Sequence, residues 1–375
     1  MKILIIITKG EVGGAQVSVL NLAKKLKEKG NEVSIGMGDG DFLAKELAKS
    51  SIAFYRFKWL KRTYNPFANL FFIFELKKYL NNHNNDVVHF NSSNALFGAI
   101  GAKLSYYKPV TVFTFRGMSL LDDNYETLKI IKIIYLNVFK FLLKFIDKPV
   151  FVSKKNLATA KELKIDARGT VIYNGRDPED MKFLAKEQAR DELGKIIGIN
   201  LENNFIIGTI GRLAYPKNYE FLIRNFGEIL KINNSARLII IGEGPERQKY
   251  HDLIEEFKRE EYIFLSGEIK NAYRYITGFD LFVLPSIFEG LSITLIETLF
   301  SGVPILTTKV GGSPELLNNS EDQLYELNNE HDFIAKFKKL ATDQNLYNTV
   351  SNQNKNQATN FNINKTAEEY LRIYN

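Results

Sequence analysis

Short apolar runs bounded by Gly, Pro, Asn and Asp recur along the chain, separated by stretches with helical periodicity. In the first half they fall at residues 3–8, 32–36, 52–57, 87–90, 110–115 and 149–152, and in the second at 205–210, 237–241, 262–265 and 280–284. The helical stretches include 15–29, 128–146 and 66–80, the last with Asn65 as a cap and Pro66 at its first position. Runs so uniformly apolar are buried on both faces. Their alternation with helices predicts an α/β protein whose parallel sheets are covered by helices. At 375 residues the chain exceeds what one core usually fills, so two domains are expected. Residues 174–204 are charged, contain Gly175, Pro178, Gly194 and Gly198, and read as a linker whose hinge lets the domains close on a ligand.

The loops after the second-half runs carry the chemistry. FEGLSITLIE, residues 288–297, follows Pro285-Ser286 and sets Glu289 in a loop and Glu297 two turns into a helix capped by Ser292. Unpaired N–H groups at that helix start favour a phosphate in front of it. Glu289 is then placed beside sugar hydroxyls, and Glu297 where a carboxylate accepts both hydroxyls of a ribose. After the run at 205–210 come Gly211, Arg212 and Lys217, two cations that can close on a diphosphate, one as a planar fork and one as a point charge. The later runs lead into Gly242-Glu243-Gly244-Pro245 and Ser266-Gly267-Glu268.

The ordered set GRLAYPKN, IIIGEGPE, FLSGEI, FDLFVLPSIFEGLSITLIETLFSGVPILTT and VGGSPE resembles the nucleotide-binding half of retaining glycosyltransferases of family 4. The resemblance continues more thinly through Gly10-Glu11-Val12-Gly13-Gly14, Val87-Val88-His89, Val152-Ser153 and Tyr173-Asn174-Gly175-Arg176-Asp177. It implies the GT-B architecture, two Rossmann-like domains facing a central cleft. Residues 1–175 are then an acceptor-binding domain, 176–204 a linker, 205–360 a nucleotide-sugar-binding domain, and 361–375 a helix returning to the first domain. It also implies a metal-independent enzyme. A hexose or N-acetylhexosamine passes from a UDP-sugar to a hydroxyl of an envelope glycan or lipid-linked saccharide, with retention of configuration. The catalytic set is Glu289, Arg212 and Lys217. Donor contacts fall on Gly13, Gly14, Gly211, Gly242, Gly244, Gly267, Ile269, Gly290, Leu291, Ser292 and Glu297. The nucleotide-sugar is a substrate, and no cofactor is expected.

Where many family members have T-x-H-G, this chain has Thr114-Phe115-Arg116-Gly117. Arginine cannot serve as a base at neutral pH. Arg116 and Gly117 therefore stand as acceptor-binding candidates with His89 and Asn174, Arg116 suiting either an acidic or phosphorylated acceptor or the support of the donor phosphate. The departure motivates an alternative reading, a catalytically silent sugar-nucleotide-binding or scaffolding subunit of a glycan assembly complex. A nicotinamide-dependent oxidoreductase is a distant third, because neither half has a proper dinucleotide fingerprint.

The absence of cysteine excludes disulfides, thiol catalysis and Cys-based zinc sites, and suits a reducing cytoplasm. Asp39-Gly40-Asp41 spells a metal-binding Asp-x-Asp but lies in a glycine-rich turn, and is read as a turn. MKILIII reads as a first strand, without a cleavage site after it, and no apolar run is long enough to span a bilayer. The net charge of +7 includes two basic-apolar clusters. One is Lys58-Trp59-Leu60-Lys61-Arg62. In the other, Lys129, Lys132, Lys140 and Lys144 share one arc of a helix otherwise filled by Ile, Phe and Leu. That helix suits either an anionic membrane surface, implying a peripheral protein on the inner face of the plasma membrane, or a partly buried position with a solvated lysine edge. No nucleic-acid-reading motif accompanies the charge.

Overall fold

A computed structural model describes residues 1–63, 65–118, 121, 128–165 and 168–375. The chain divides into two compact units, Met1–Gly175 with Phe361–Asn375, and Arg176–Asn360. Residues 176–204, expected as a linker, group with the second unit.

The first unit is a seven-stranded parallel sheet in the order β3-β2-β1-β4-β5-β6-β7. Its strands are β1 (Lys2–Ile7), β2 (Glu32–Met37), β3 (Ala53–Arg56), β4 (Val87–Phe90), β5 (Val110–Phe115), β6 (Lys148–Phe151) and β7 (Thr170–Val171). Strand side chains alternate between faces, so β1 feeds two cores. Ile3, Ile5 and Ile7 pack with α1 (Gly14–Glu28), α2 (Phe42–Lys49) and the C-terminal helix Ile363–Tyr374. Leu4 and Ile6 pack with α3 (Pro66–His83), α4 (Gly98–Lys103) and α5 (Lys129–Leu143). Asn65 caps α3 as expected, accepting the Phe67 N–H at 2.9 Å. A further helix of this unit, α6, covers Lys154–Glu162.

The second unit opens with α7 (Lys186–Ile197) and holds a six-stranded parallel sheet in the order β10-β9-β8-β11-β12-β13. These strands are β8 (Phe205–Ile210), β9 (Ala236–Ile241), β10 (Ile263–Gly267), β11 (Leu281–Leu284), β12 (Ile305–Thr308) and β13 (Leu324–Tyr325). Helices α8 (Tyr219–Ile232), α9 (Arg247–Glu256), α12 (Glu330–Thr342) and α13 (Gln344–Ala358) pack on Ile207, Leu238, Ile240 and Val283; α10 (Ile293–Ser301) and α11 (Ser313–Leu316) complete the unit. Helix α7 is joined to the sheet through Asp280, which lies 2.5 Å from Arg190 Nη2 and accepts the Ile206 N–H at 2.7 Å. Strand order reverses between β8 and β11. In open parallel sheets the loops leaving two such strands diverge and leave a crevice at their C-terminal ends, the usual ligand position.

Candidate functional site

That reversal selects the loops after β8 and β11, which hold the cations and the first glutamate singled out in the sequence. Lys217 ends a 3-10 turn, Tyr215–Lys217, and Asn218 then enters α8 in the left-handed region (φ 54°), a conformation that asparagine tolerates. The Lys217 ammonium lies 2.7 Å from Glu289 Oε1, and Ser286 Oγ donates to the same oxygen at 2.7 Å. The Ile287 N–H donates to the Pro216 carbonyl at 2.9 Å, so the two loops are joined through backbone as well. Arg212, beside them in sequence, is exposed and has no ion-pair partner among the described residues.

Glycines allow these loops to stack. A Cβ on Gly242 would lie 2.0 Å from the Gly211 carbonyl oxygen, and one on Gly244 2.2 Å from that of Leu213. What their missing side chains admit is neighbouring backbone. The Gly242 N–H in turn donates to Gly267, at the end of β10, at 2.9 Å. Ile269, two residues further on, is half-buried. Gly311 (φ 52°) is the tightest position, its hypothetical Cβ falling 1.8 Å from the Glu289 carbonyl oxygen, and the next N–H, of Gly312, donates to Gly290 at 3.0 Å. Glu289 is thereby held from both flanks.

Gly290 and Leu291 are buried and lead into Ser292, whose hydroxyl accepts the Leu295 N–H at 3.4 Å and caps α10. Two cations and a helix start therefore share one sheet edge with a carboxylate, an arrangement that stabilises an anion beside a hydroxyl-bearing group. Glu297 faces inward from α10. Its Oε1 lies 3.2 Å from Arg176 Nε, and the Arg176 guanidinium lies over the Tyr273 ring at 5.2 Å. Burial raises the Glu297 pKa to about 7, with Arg176 acting in the opposite direction. Nothing in the sequence pattern joins Arg176 to a helix so distant in the chain.

In the first unit, α1 begins at Gly14. Gly13 is extended (φ 176°), a conformation open to any residue, and a Cβ there would meet only the flexible end of Gln16. Arg116 projects from the end of β5 and is held by neutral oxygens. Its Nε and Nη2 donate to Asn91 Oδ1 at 3.0 and 2.7 Å, and Nη1 donates to Ser18 Oγ at 2.6 Å and Asn174 Oδ1 at 2.5 Å. Asn174 is consequently buried, whereas Gly117 is exposed. His89 was expected to open on a ligand, but it is fully buried, with Nδ1 2.7 Å from the Tyr374 hydroxyl and Nε2 2.7 Å from Thr114 Oγ1. Burial, reinforced by Arg116, holds its pKa well below the usual histidine value, so it is a neutral link between β4, β5 and the C-terminal helix. The Asp-Gly-Asp segment is a turn, with Gly40 at φ 110° and Asp41 2.7 Å from Arg56 Nη2.

Helix α5 buries Phe139, Leu142 and Leu143 but exposes Ile130 (59%), Ile133 (54%) and Ile134 (57%) among its lysines. Helix α3, on the same face of the sheet, exposes Phe67, Leu70, Phe71 and Phe74. Phe71 lies 4.7 Å from the ring of Trp59, which Lys58 approaches at 5.3 Å. Among the described residues no helix is long and apolar enough to cross a membrane.

Both units match known glycosyltransferase families. Residues 12–180 match the model described as Glycosyltransferase Family 4, and residues 190–357 that described as Glycosyl transferases group 1. A Campylobacter jejuni protein named N-acetylgalactosamine-N,N'-diacetylbacillosaminyl-diphospho-undecaprenol 4-alpha-N-acetylgalactosaminyltransferase is 30% identical over 54% of this chain, a span of about half (52%) of that relative. An Escherichia coli UDP-Gal:alpha-D-GlcNAc-diphosphoundecaprenol alpha-1,3-galactosyltransferase is 27% identical over 80% of this chain and 78% of its own length. Anabaena HepE, solved in complex with UDP and glucose, superposes with a TM-score of 0.84 at 19% identity, covering 100% of this chain and 99% of that one, and so shares the fold. With two Rossmann-like parallel-sheet units and matches across both, the chain belongs to family 4 of the glycosyltransferases.

Proposed function

We propose that the protein is a retaining, metal-independent transferase that moves a hexose or N-acetylhexosamine from a UDP-sugar to a hydroxyl of a lipid-linked saccharide or envelope glycan. The observation that carries this reading is the Lys217–Glu289 pair at 2.7 Å, set at the strand-order reversal beside the start of α10. In the proposed step the bond from the sugar's anomeric carbon to the diphosphate breaks. The acceptor oxygen bonds to that carbon from the same face, and its proton passes to the departing phosphate. Arg212, Lys217 and the N–H groups at the start of α10 stabilise the developing diphosphate charge. Glu289 orients the donor sugar and Glu297 holds the ribose. The acceptor is assigned to the first unit near Arg116 and Gly117; His89 is left out because it has no open face.

UDP as donor nucleotide is supported by the relative named for UDP-Gal and by the HepE complex. A polyprenyl-diphosphate-linked acceptor is supported by both curated relatives' names. Peripheral attachment to the inner membrane face is supported by the lysine-edged apolar surface of α5 and α3.

The test is a thermal-shift screen against UDP, GDP, ADP and their sugar conjugates, with and without magnesium and in a chelator. It is followed by turnover with a lipid-linked acceptor and by assignment of the product's anomeric configuration by NMR. A shift by UDP that persists in chelator, with turnover and retention, is expected. Binding without turnover on any acceptor favours the silent-subunit reading that Arg116 motivates. No shift with any nucleotide overturns the donor site.

A further inference from the structure

We infer that Arg176 and Glu297 together clamp the cis-diol of the donor ribose, Arg176 donating to the diol oxygens while Glu297 accepts from its hydroxyls. This rests on the donor reading above. It adds a binding residue outside the loop motifs, contributed by the first position of the second unit.

The two side chains are 9% and 11% exposed, and their closest approach is 3.2 Å. Yet Arg176 Nε–H is buried without a hydrogen-bond acceptor, so that approach provides attraction between charges but no hydrogen bond. Among the described residues, Glu297 accepts no hydrogen bond either. Buried charged groups left short of partners are costly, and proteins rarely keep them without a reason. What completes this pair must donate to a carboxylate and accept from a guanidinium at once. A phosphate ester dianion cannot donate, an ammonium cannot accept, and an apolar group does neither. Hydroxyls do both, and two vicinal hydroxyls do so at fixed spacing.

Position narrows the class of ligand. Glu297 lies five residues along α10 from the Ser292 cap, about 7 Å at the usual helical rise. That is of the order of the span from a nucleotide's 5′-phosphate to its ribose hydroxyls, so a phosphate at the helix start brings the diol to this pair. The Tyr273 ring, 5.2 Å from the guanidinium, fixes its plane. The titratable groups that face the Glu297 carboxyl are Arg176 and Tyr273; Asp180 and Arg274 act on Tyr273 from further out. The unfavourable burial of Glu297 is therefore opposed by Arg176 alone.

The experiment measures binding of UDP and 2′-deoxy-UDP by calorimetry, with the ADP and GDP pairs alongside so that the ratio is read on whichever base binds. It uses the wild-type protein, Arg176→Met, Arg176→Lys and Glu297→Gln. The wild type should prefer the ribonucleotide. Arg176→Met should weaken ribonucleotide binding by about tenfold, leave the 2′-deoxy form nearly unchanged and bring the ratio toward one, while Arg176→Lys recovers part of it. Wild-type affinity should rise between pH 6 and 8 as Glu297 ionises, and in Arg176→Met that rise should move to higher pH. Full discrimination kept in Arg176→Met, with UDP binding lost in Glu297→Gln, overturns the clamp and leaves the donor reading standing. Unchanged ribonucleotide binding in folded Glu297→Gln, or none in the wild type, overturns both. Should Arg176→Met fail to fold, the ratio in Arg176→Lys decides: unchanged from wild type, together with an unmoved pH profile, it overturns the clamp.

Discussion

Lys217 and Glu289 belong to loops from different strands, yet a nitrogen of one and an oxygen of the other meet at 2.7 Å, largely screened from solvent. In the absence of ligand each neutralises the other. A diphosphate entering beside Lys217 offers that cation a second anion and frees Glu289 for hydroxyl groups. In Lys217→Ala the Ser286 hydroxyl still holds the carboxylate. The variant should keep the wild-type circular dichroism spectrum, while turnover falls by roughly 10 to 100-fold, the loss of one charge-assisted contact, or more if that contact tightens in the transition state. Unchanged turnover in the folded variant would remove Lys217 from the site.

Gly311→Ala tests the support behind Glu289. A methyl group there meets the Glu289 carbonyl oxygen at 1.8 Å, and φ 52° disfavours alanine independently. Expected are a loss of stability on the order of 1–3 kcal/mol and a loss of donor binding greater than that loss of stability explains. Gly198→Ala, also at positive φ but with open space around the hypothetical Cβ, serves as the control and should lose stability alone.

Glu297 makes stability depend on pH in a definite direction. Its folded pKa of about 7 lies above the ordinary carboxyl value of 4.5, so between those values the folded protein keeps a proton that the unfolded chain has lost. Stability therefore falls as pH rises through that window and levels above it, by roughly 3 kcal/mol at most. Melting temperatures from pH 5 to 8 should show the wild type losing ground to Glu297→Gln. A constant difference between the two would mean that the carboxyl is ionised throughout.

Membrane attachment can be read from vesicles. Replacing Lys129, Lys132 and Lys140 with glutamate should reduce sedimentation with anionic liposomes severalfold and leave the nucleotide-induced thermal shift intact. The same replacement at Lys58, Lys61 and Arg62 tests the second cluster separately. Identical sedimentation in both variants would show that this face serves another purpose.

The arrangement of the sheets was largely legible beforehand because it depends on local pattern. Uniformly apolar runs such as 3–8 and 237–241 can only be buried on both faces, and the intervening helices impose parallel order. Ser292 and Asn65 cap their helices because a short polar side chain needs only its own neighbours to do so. Even the α5 lysine edge followed from helical periodicity alone.

Partners set by distant segments were hidden. Arg176 meets Glu297 and Tyr273 only when the second unit has folded, and His89 finds Tyr374 only when the last helix packs on the first sheet. No periodicity records such meetings. The glycines of residues 242, 244 and 311 were legible as loop residues but not in their task, since what each must admit is backbone from another loop. Local hydrophobic pattern and capping chemistry thus determined this protein's elements, its two α/β units and the loops that carry its charged groups. Tertiary packing decided which buried charges face one another, because that depends on burial and distance between segments brought together only in the folded chain.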